Sequence, residues 1–322
     1  MIKLENVTKK YGKTEALKGI SFEVKEGEII GLLGPNGAGK TTTMNIITGF
    51  IEQTSGSVLV DEINVQKKPM KAKKIIGYMP EGVPLYGELT VKEFIRYMAE
   101  LKRVSKKEIN SNVEKVVADT GLGEVKNKLI RNLSRGYKQR VSLAGALVSN
   151  PKVIILDEPT VGLDPKQVTE IRELIKKLGK DHTVILSSHI LSEVSQICNK
   201  VIIMNKGEVL AIDTPENLER KVSNKNIIYV TVEDTENKVL EMKNKIEGIK
   251  NIKLEKTNED GTKQYSIEAQ GNKDIRKVLF TSFAKEKITI FEMKKADTSL
   301  EDAFMQIIGK GEKKWEQYLR KN

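Results

Sequence analysis

Residues 31–45 read GLLGPNGAGKTTTMN. Gly34, Gly37 and Gly39 precede Lys40, and three threonines follow it. An apolar run, EIIGLL at 28–33, enters this stretch, and TTTMNIITG at 41–49 leaves it with apolar residues at helical spacing. Glycine lets backbone N–H groups approach a ligand with no Cβ in the way. Amides that converge on the start of a helix favour an anion. The stretch therefore predicts a strand, a loop and a helix arranged around a multiply charged phosphate.

Gly34, Gly39, Lys40 and Thr41 satisfy the phosphate-binding pattern G-x-x-x-x-G-K-[ST]. In that pattern the amides of residues 37–42 cradle phosphates and Lys40 reaches the β- and γ-phosphates. The Thr41 hydroxyl ligates Mg²⁺. A second stretch, VIILDEP at 153–159, ends four apolar residues in Asp157 and Glu158. Ligands bind at the carboxyl edge of parallel α/β sheets. Two adjacent carboxylates at a buried strand end cost desolvation unless something uses them. Asp157 is thus placed to hold Mg²⁺, and Glu158 to polarise an attacking water. His189 follows the next apolar strand, VILSSH, and should emerge at the same edge beside the γ-phosphate. In NLSRGYKQRVSLAGALV, at 132–148, Ser134 precedes Gly136 at another helix start. That is a second anion site, and one nucleotide cannot obviously use both, so it is offered to a partner subunit.

The chain has 322 residues, room for about two domains. Its 39% hydrophobic and 31% charged content suits a globular protein with a core. Basic residues exceed acidic ones by 55 to 44, giving +11, but the two kinds are interleaved throughout, as on a lysine-rich solvated surface. The single cysteine, Cys198, excludes an intramolecular disulfide and reads as a buried structural thiol. With His182 and His189 as the other soft ligands, no metal-binding cluster is expected. The start of the chain lacks a signal peptide's apolar core, and no apolar run approaches the roughly 20 residues of a membrane span. The chain is expected not to cross a bilayer itself.

Short apolar strands alternate with helical stretches over residues 1–215, with shorter alternation before residue 28 and a helical lobe at about 88–150. Residues 216–224 read as a connector. The order βαββαβ follows at 225–296, with a hairpin turn at Asp260 and Gly261. A helix and a charged tail occupy 297–322. Trp315, Tyr318 and Leu319 fall at helical spacing in that tail.

These motifs, in this order, resemble those of the ATP-binding-cassette (ABC) ATPases over roughly the first two thirds of the chain. GPNGAGKTT, from Gly34 through Pro35, Asn36, Gly37, Ala38, Gly39, Lys40 and Thr41 to Thr42, looks like Walker A. LSRGY looks like the signature, VIILDE like Walker B, GLDP with Asp164 like the D-loop, and His189 like the switch histidine. Tyr11 matches the aromatic that stacks on adenine. Two departures stand out. Arg135 and Tyr137 replace a glycine and the glutamine of the usual LSGGQ, while Ser134 and Gly136 remain. Glu81 stands where the family has a glutamine that helps bind Mg²⁺ and faces the membrane partner.

The resemblance implies an α/β fold: a P-loop NTPase cassette with a RecA-like parallel sheet core, an antiparallel β subdomain and a helical subdomain. A small α+β ferredoxin-like C-terminal domain is added to it. It implies a Mg²⁺-dependent ATPase in which two cassettes close head to tail on two ATP molecules. Wording such as YMPE and LSRGYKQR is similar to bacterial ABC-2-type exporter ATPases. The implied partners are a second cassette, identical or not, and a permease on a separate chain, which would engage residues 81–89. The implied location is cytoplasmic, peripheral on the inner face of the cell membrane. The alternative is a non-transport ABC ATPase acting on nucleic acid or ribosomes. Translation-type relatives carry two cassettes in one chain, and chromosome-type relatives insert long coiled coils, so direct nucleic-acid binding is not expected. A nucleotide-binding module without hydrolysis is disfavoured by Glu158 and His189.

Overall fold

In the computed structural model the described residues are 1–82, 85–222, 227–233, 238–271, 274–295, 304–305 and 307–309. One-sided burial marks the first strands. β1 (Ile2–Tyr11) buries Ile2, Leu4 and Val7, and β2 (Thr14–Val24) buries Leu17, Ile20, Phe22 and Val24. They pair antiparallel, and β4 (Ser55–Val60) and β5 (Ile63–Asn64) complete a sheet of order β2-β1-β4-β5. By contrast β3 (Ile29–Leu33), β7 (Val153–Leu156) and β8 (Thr183–Ser188) are buried at every position. Strands of that kind need both faces covered.

They get both. With β6 (Ile76–Met79), β9 (Lys200–Asn205) and β10 (Glu208–Asp213) they form a six-stranded sheet, β10-β9-β3-β8-β7-β6, parallel except at β10. On one face Ile30, Leu32, Ile155 and Ile185 share a core with Leu4, Ile20 and Val58 of the antiparallel sheet and Met44 of α1 (Lys40–Ile47). On the other, Gly31 makes room for α7 (Leu191–Ile197), since a Cβ there would collide with Val194.

α2 (Pro69–Ile75) leads into β6, and the helical lobe follows. α3 (Val91–Leu101) buries Val91, Phe94, Ile95 and Ala99, and starts in a capping box between Thr90 and Glu93. α4 (Lys106–Asp119) buries Ile109, Val113, Val116 and Val117. α5 (Arg135–Leu147) carries the chain back to β7, and α6 (Pro165–Leu178) runs on to β8.

The chain divides into two units, one of Met1–Pro215 joined by the chain from Ile307, the other of Glu216–Gln306. Residues 216–222 of the expected connector are helical, within α8 (Pro215–Val222). In the second unit β11 (Ile227–Glu233), α9 (Lys238–Glu241), β12 (Ile249–Thr257), β13 (Lys263–Ala269), α10 (Arg276–Lys285) and β14 (Thr289–Lys295) give the ferredoxin-like order. Their antiparallel sheet runs β12-β13-β11-β14. Its first helix is shorter than the spacing suggests: α9 passes into a 3₁₀ turn at Met242–Asn244, and Gly248 at φ 96° redirects the chain into β12. The hairpin turn holds Gly261 at φ 84°, with the Thr262 amide donating to Asp260 Oδ1 at 3.0 Å. Of the closing helix, 304–305 and 307–309 are helical; Trp315, Tyr318 and Leu319 lie outside the described residues.

Phe283 is fully buried among Val230, Tyr265 and Leu279 in the second unit's core. Truncating it to alanine should cost about 3–5 kcal/mol of unfolding free energy. Urea unfolding followed by circular dichroism measures this, and an unshifted midpoint would contradict the packing described.

Candidate functional site

β3, β8, β7 and β6 lie side by side and end at one sheet edge. Leu33 pairs with Ser188, Leu186 with Leu156, and Met79 with Leu156. The residues that follow are Gly34, His189, Asp157 with Glu158, and Glu81 beyond Pro80. Four loops distant in sequence thus meet at one edge.

The loop after β3 turns tightly because its glycines allow it. Gly37 and Gly39 hold φ 79° and 103°, in the left-handed region. A Cβ on Gly39 would also come within 2.7 Å of Leu17 Cδ2, and one on Gly34 would collide with the Met204 carbonyl. Lys40 is 7% exposed, and its Nζ donates to the carbonyls of Gly34 (2.7 Å) and Pro35 (3.4 Å). The ammonium is therefore held across the loop before any ligand arrives. The Thr43 hydroxyl donates to Gly39 O at 2.9 Å and anchors the first turn of α1.

A cleft of about 820 Å³ opens over this loop. Asn36, Gly37, Ala38, Gly39, Lys40, Thr41, Thr42, Glu81, Glu158 and His189 line it, with Lys206 and part of β2. Pro35 is present through its carbonyl on Lys40. Asp157 lies deeper, 1% exposed, and accepts a hydrogen bond from Ser187 Oγ at 2.5 Å. The Glu158 amide donates to the same Ser187 oxygen at 2.9 Å, and Glu158 itself holds φ 51°. Its Oε2 meets His189 Nδ1 at 2.9 Å. Ser187 was not singled out in the sequence. Its one signal is a serine just after the apolar run VIL of β8, and the strand order alone sets it against Asp157. Tyr78 donates to Asn45 Oδ1 at 3.1 Å, and burial together with the Asp157 charge pushes its hydroxyl up to about 12.

Other expected residues stand apart from the cleft lining. Tyr11 is half exposed opposite Thr14 at the end of β1, with Lys9 Nζ 4.9 Å over its ring. Ser134 caps α5, accepting from the Tyr137 amide at 3.4 Å. Gly136 is buried against Gln167, whose amide a Cβ would strike. The Arg135 guanidinium lies on Gly162 and the Tyr137 amide makes the cap bond, so the helix cap is intact at both signature departures. Asp164 caps α6, accepting from the Gln167 amide at 2.9 Å. His182 Nδ1 is hydrogen-bonded to Pro151 O at 2.6 Å. Among the described residues no group of three or more His, Cys, Asp and Glu is arranged to hold a metal.

Residues 17–161 match the family model described as ABC transporter. The chain is 38% identical over 233 residues to the linearmycin resistance ATP-binding protein LnrL of Bacillus subtilis (strain 168), covering 72% of this chain and 75% of that protein. It is 33% identical over 314 residues to the bacitracin transport ATP-binding protein BcrA of Bacillus licheniformis, covering 97% and 98%. The chain belongs to the ABC transporter ATP-binding family. Among solved structures, the ADP- and Pi-bound dimer of the cassette MJ0796 superposes with TM-score 0.61 at 31% identity, over 66% of this chain and 98% of that one. This ABC protein is accordingly an ATP-binding, ATP-hydrolysing transporter subunit. The reading as a cassette acting on nucleic acid or ribosomes gains no support from these relatives.

Cys198 lies on the face of the sheet away from α1, beside Gly31, and burial pushes its thiol well above the usual range. A thiol so buried is a structural group and not a nucleophile. Native protein should react with a thiol reagent only slowly, and denatured protein at once, in a spectrophotometric thiol assay.

Proposed function

We propose that the cleft over residues 34–42 binds the phosphates of ATP, with Glu158 and His189 acting on the water that attacks the γ-phosphate. One observation carries this reading: the Glu158–His189 pair and the lysine-bridged glycine loop line one cleft. Amides of the loop and the start of α1 meet the phosphates. Lys40 reaches them with little rearrangement, being already directed along the loop. Glu158 takes the proton of the attacking water, and His189 orients Glu158 and the γ-phosphate. Tyr11 is assigned to the adenine, beyond the lined cleft.

The donors suit Mg²⁺ as well. That ion keeps waters and phosphate oxygens and asks one or two oxygens of the protein, so no acidic cluster is required. Thr41 and Asp157 would hold it, with Glu81 as a further oxygen at the cleft wall. Bound there, Mg²⁺ would neutralise charge on the β- and γ-phosphate oxygens. Asp157 is kept in place by Ser187, which occupies one of its two oxygens.

Ser134, Gly136 and Asp164 are assigned to the nucleotide of a second cassette. Their absence from the cleft lining and the dimeric form of the MJ0796 cassette support this. The membrane partner is assigned as a permease on a separate chain, a reading supported by relatives that are themselves named as ATP-binding proteins of transport systems. It is assigned to residues 81–89, where Tyr86 is exposed against Phe94 and Tyr97; residues 83–84 lie outside the described residues. Relatives named for bacitracin transport and linearmycin resistance favour export by a cytoplasmic subunit peripheral to the inner membrane face.

Glu158→Gln should retain ATP binding, accumulate an ATP-dependent dimer on size exclusion and lose about 10²–10⁴-fold in turnover. Undiminished hydrolysis would remove Glu158 from its role. Lys40→Ala should weaken ATP binding roughly 10- to 100-fold by titration calorimetry. Unaltered affinity would refute the phosphate cradle.

A further inference from the structure

Glu193 is a buried acid with no part in the chemistry above. It is 8% exposed in the first turn of α7, four residues beyond His189. No ion pair with Lys or Arg forms at this carboxylate among the described residues. Its partner is Thr160, 4% exposed and two residues beyond Glu158, whose Oγ1 donates to Glu193 Oε2 at 2.5 Å. Burying a carboxylate without an ion pair is costly even with Arg172 lining the same groove, and an apolar side chain would fill the site at less cost. A group kept at that cost points to a positional requirement.

We propose that the Thr160–Glu193 hydrogen bond is a positioning link that holds the Glu158 and His189 loops in register for hydrolysis. The inference rests on the roles given above to Glu158 and His189. The loop after β7 is joined at three levels to the segment that runs from the end of β8 into α7. Ser187 accepts from the Glu158 amide and donates to Asp157, in the buried layer nearest the strands. Glu158 and His189 meet at 2.9 Å facing the cleft. Thr160 and Glu193 close the far side, again out of solvent.

The link has something to restrain. Glu158 holds a left-handed backbone at φ 51°, which a side chain adopts only when its surroundings impose it. On its N-terminal side the hydrogen bond from the Glu158 N–H to Ser187 Oγ holds it; downstream the chain runs through Pro159 to the Thr160–Glu193 hydrogen bond. His189 is set in the same way, between the Ser188 turn, where the Ile190 amide donates to Ser188 Oγ at 3.0 Å, and Glu193. Val161 and His189 line both the ATP cleft and a second groove beside Thr160, Gly162 and Glu193. The link therefore stands in the wall between them. Loosening it would shift the Glu158 carboxylate against the attacking water and leave the phosphate cradle on β3 and α1 untouched.

Thr160→Val removes the hydroxyl at nearly constant volume, Thr160→Ser keeps it, and Glu193→Gln keeps an acceptor oxygen. Steady-state ATPase kinetics on the full chain are read beside Glu158→Gln, with ATP binding by calorimetry and melting temperature as controls. Thr160→Val should lose roughly 10- to 100-fold in kcat with KM for ATP unchanged, as for a small misplacement of a reacting group. Thr160→Ser and Glu193→Gln should recover most of that loss, and Thr160→Val/Glu193→Ala should lose no more than the worse single variant. If Glu158→Gln is inactive but Thr160→Val keeps full kcat, the link is overturned and the catalytic reading stands. The same holds if kcat falls only in proportion to ATP affinity, or if Thr160→Ser is as impaired as Thr160→Val. If Glu158→Gln itself retains turnover, both readings fall together. Should Thr160→Val misfold, a Glu193→Gln and Thr160→Ser pair that is also deeply impaired overturns the link.

Discussion

Parallel pairing of β8 with β3 on one side and β7 on the other holds the rest of the site in place. Parallel neighbours deliver their carboxyl ends to one edge, so every loop that leaves this edge faces the same space. β6 extends the row and adds Glu81. Without that row the glycine loop, the carboxylate pair and the histidine would be separate turns. The row itself depends on burial: strands apolar at every position are stable only because an antiparallel sheet with α1 covers one face and helices cover the other.

At that edge the polar groups are satisfied before a ligand binds. Lys40 is tied to loop carbonyls, Asp157 to Ser187, and Glu158 to His189. A half-satisfied network in a buried site costs more than an apolar one, so these ties are what make an ionic site tolerable inside the cassette. They also keep the groups oriented, which is the form of stabilisation that phosphoryl transfer uses. The glycines contribute by absence. At Gly34 and Gly39 backbone and side chains from β2 and β9 occupy the space that a Cβ would take.

The second helix start, at Ser134, belongs to a different surface. Its cap is intact although two of the five signature positions differ from the family wording, because Arg135 points at Gly162 and Tyr137 contributes only its amide to the cap. The Ser134 cap and the packing of Gly136 on Gln167, where the partner-cassette contact is proposed, are both left alone by these departures. The ferredoxin-like unit is built on a core of its own around Tyr265 and Phe283.

Much of this was legible in the residues themselves. The glycine spacing with Lys40 and Thr41, the acids ending VIILDE and the periodicities of the strands predict the elements and the chemistry, because each depends on neighbours within one loop or one strand. Ser187, the Thr160–Glu193 bond and the Arg135–Gly162 contact were not legible, since each joins residues about 27 to 33 positions apart through a strand order that no local pattern encodes. The short α9 escaped as well, as helical spacing sets which side chains face inward but not how far the hydrogen-bonded turns persist. The amino-acid sequence alone determined the kind of site and its ligand class, through backbone freedom at glycines and charge at strand ends. Tertiary structure alone decided which polar groups share a proton or an anchor, because β-sheet pairing sets distances between segments that the chain leaves far apart.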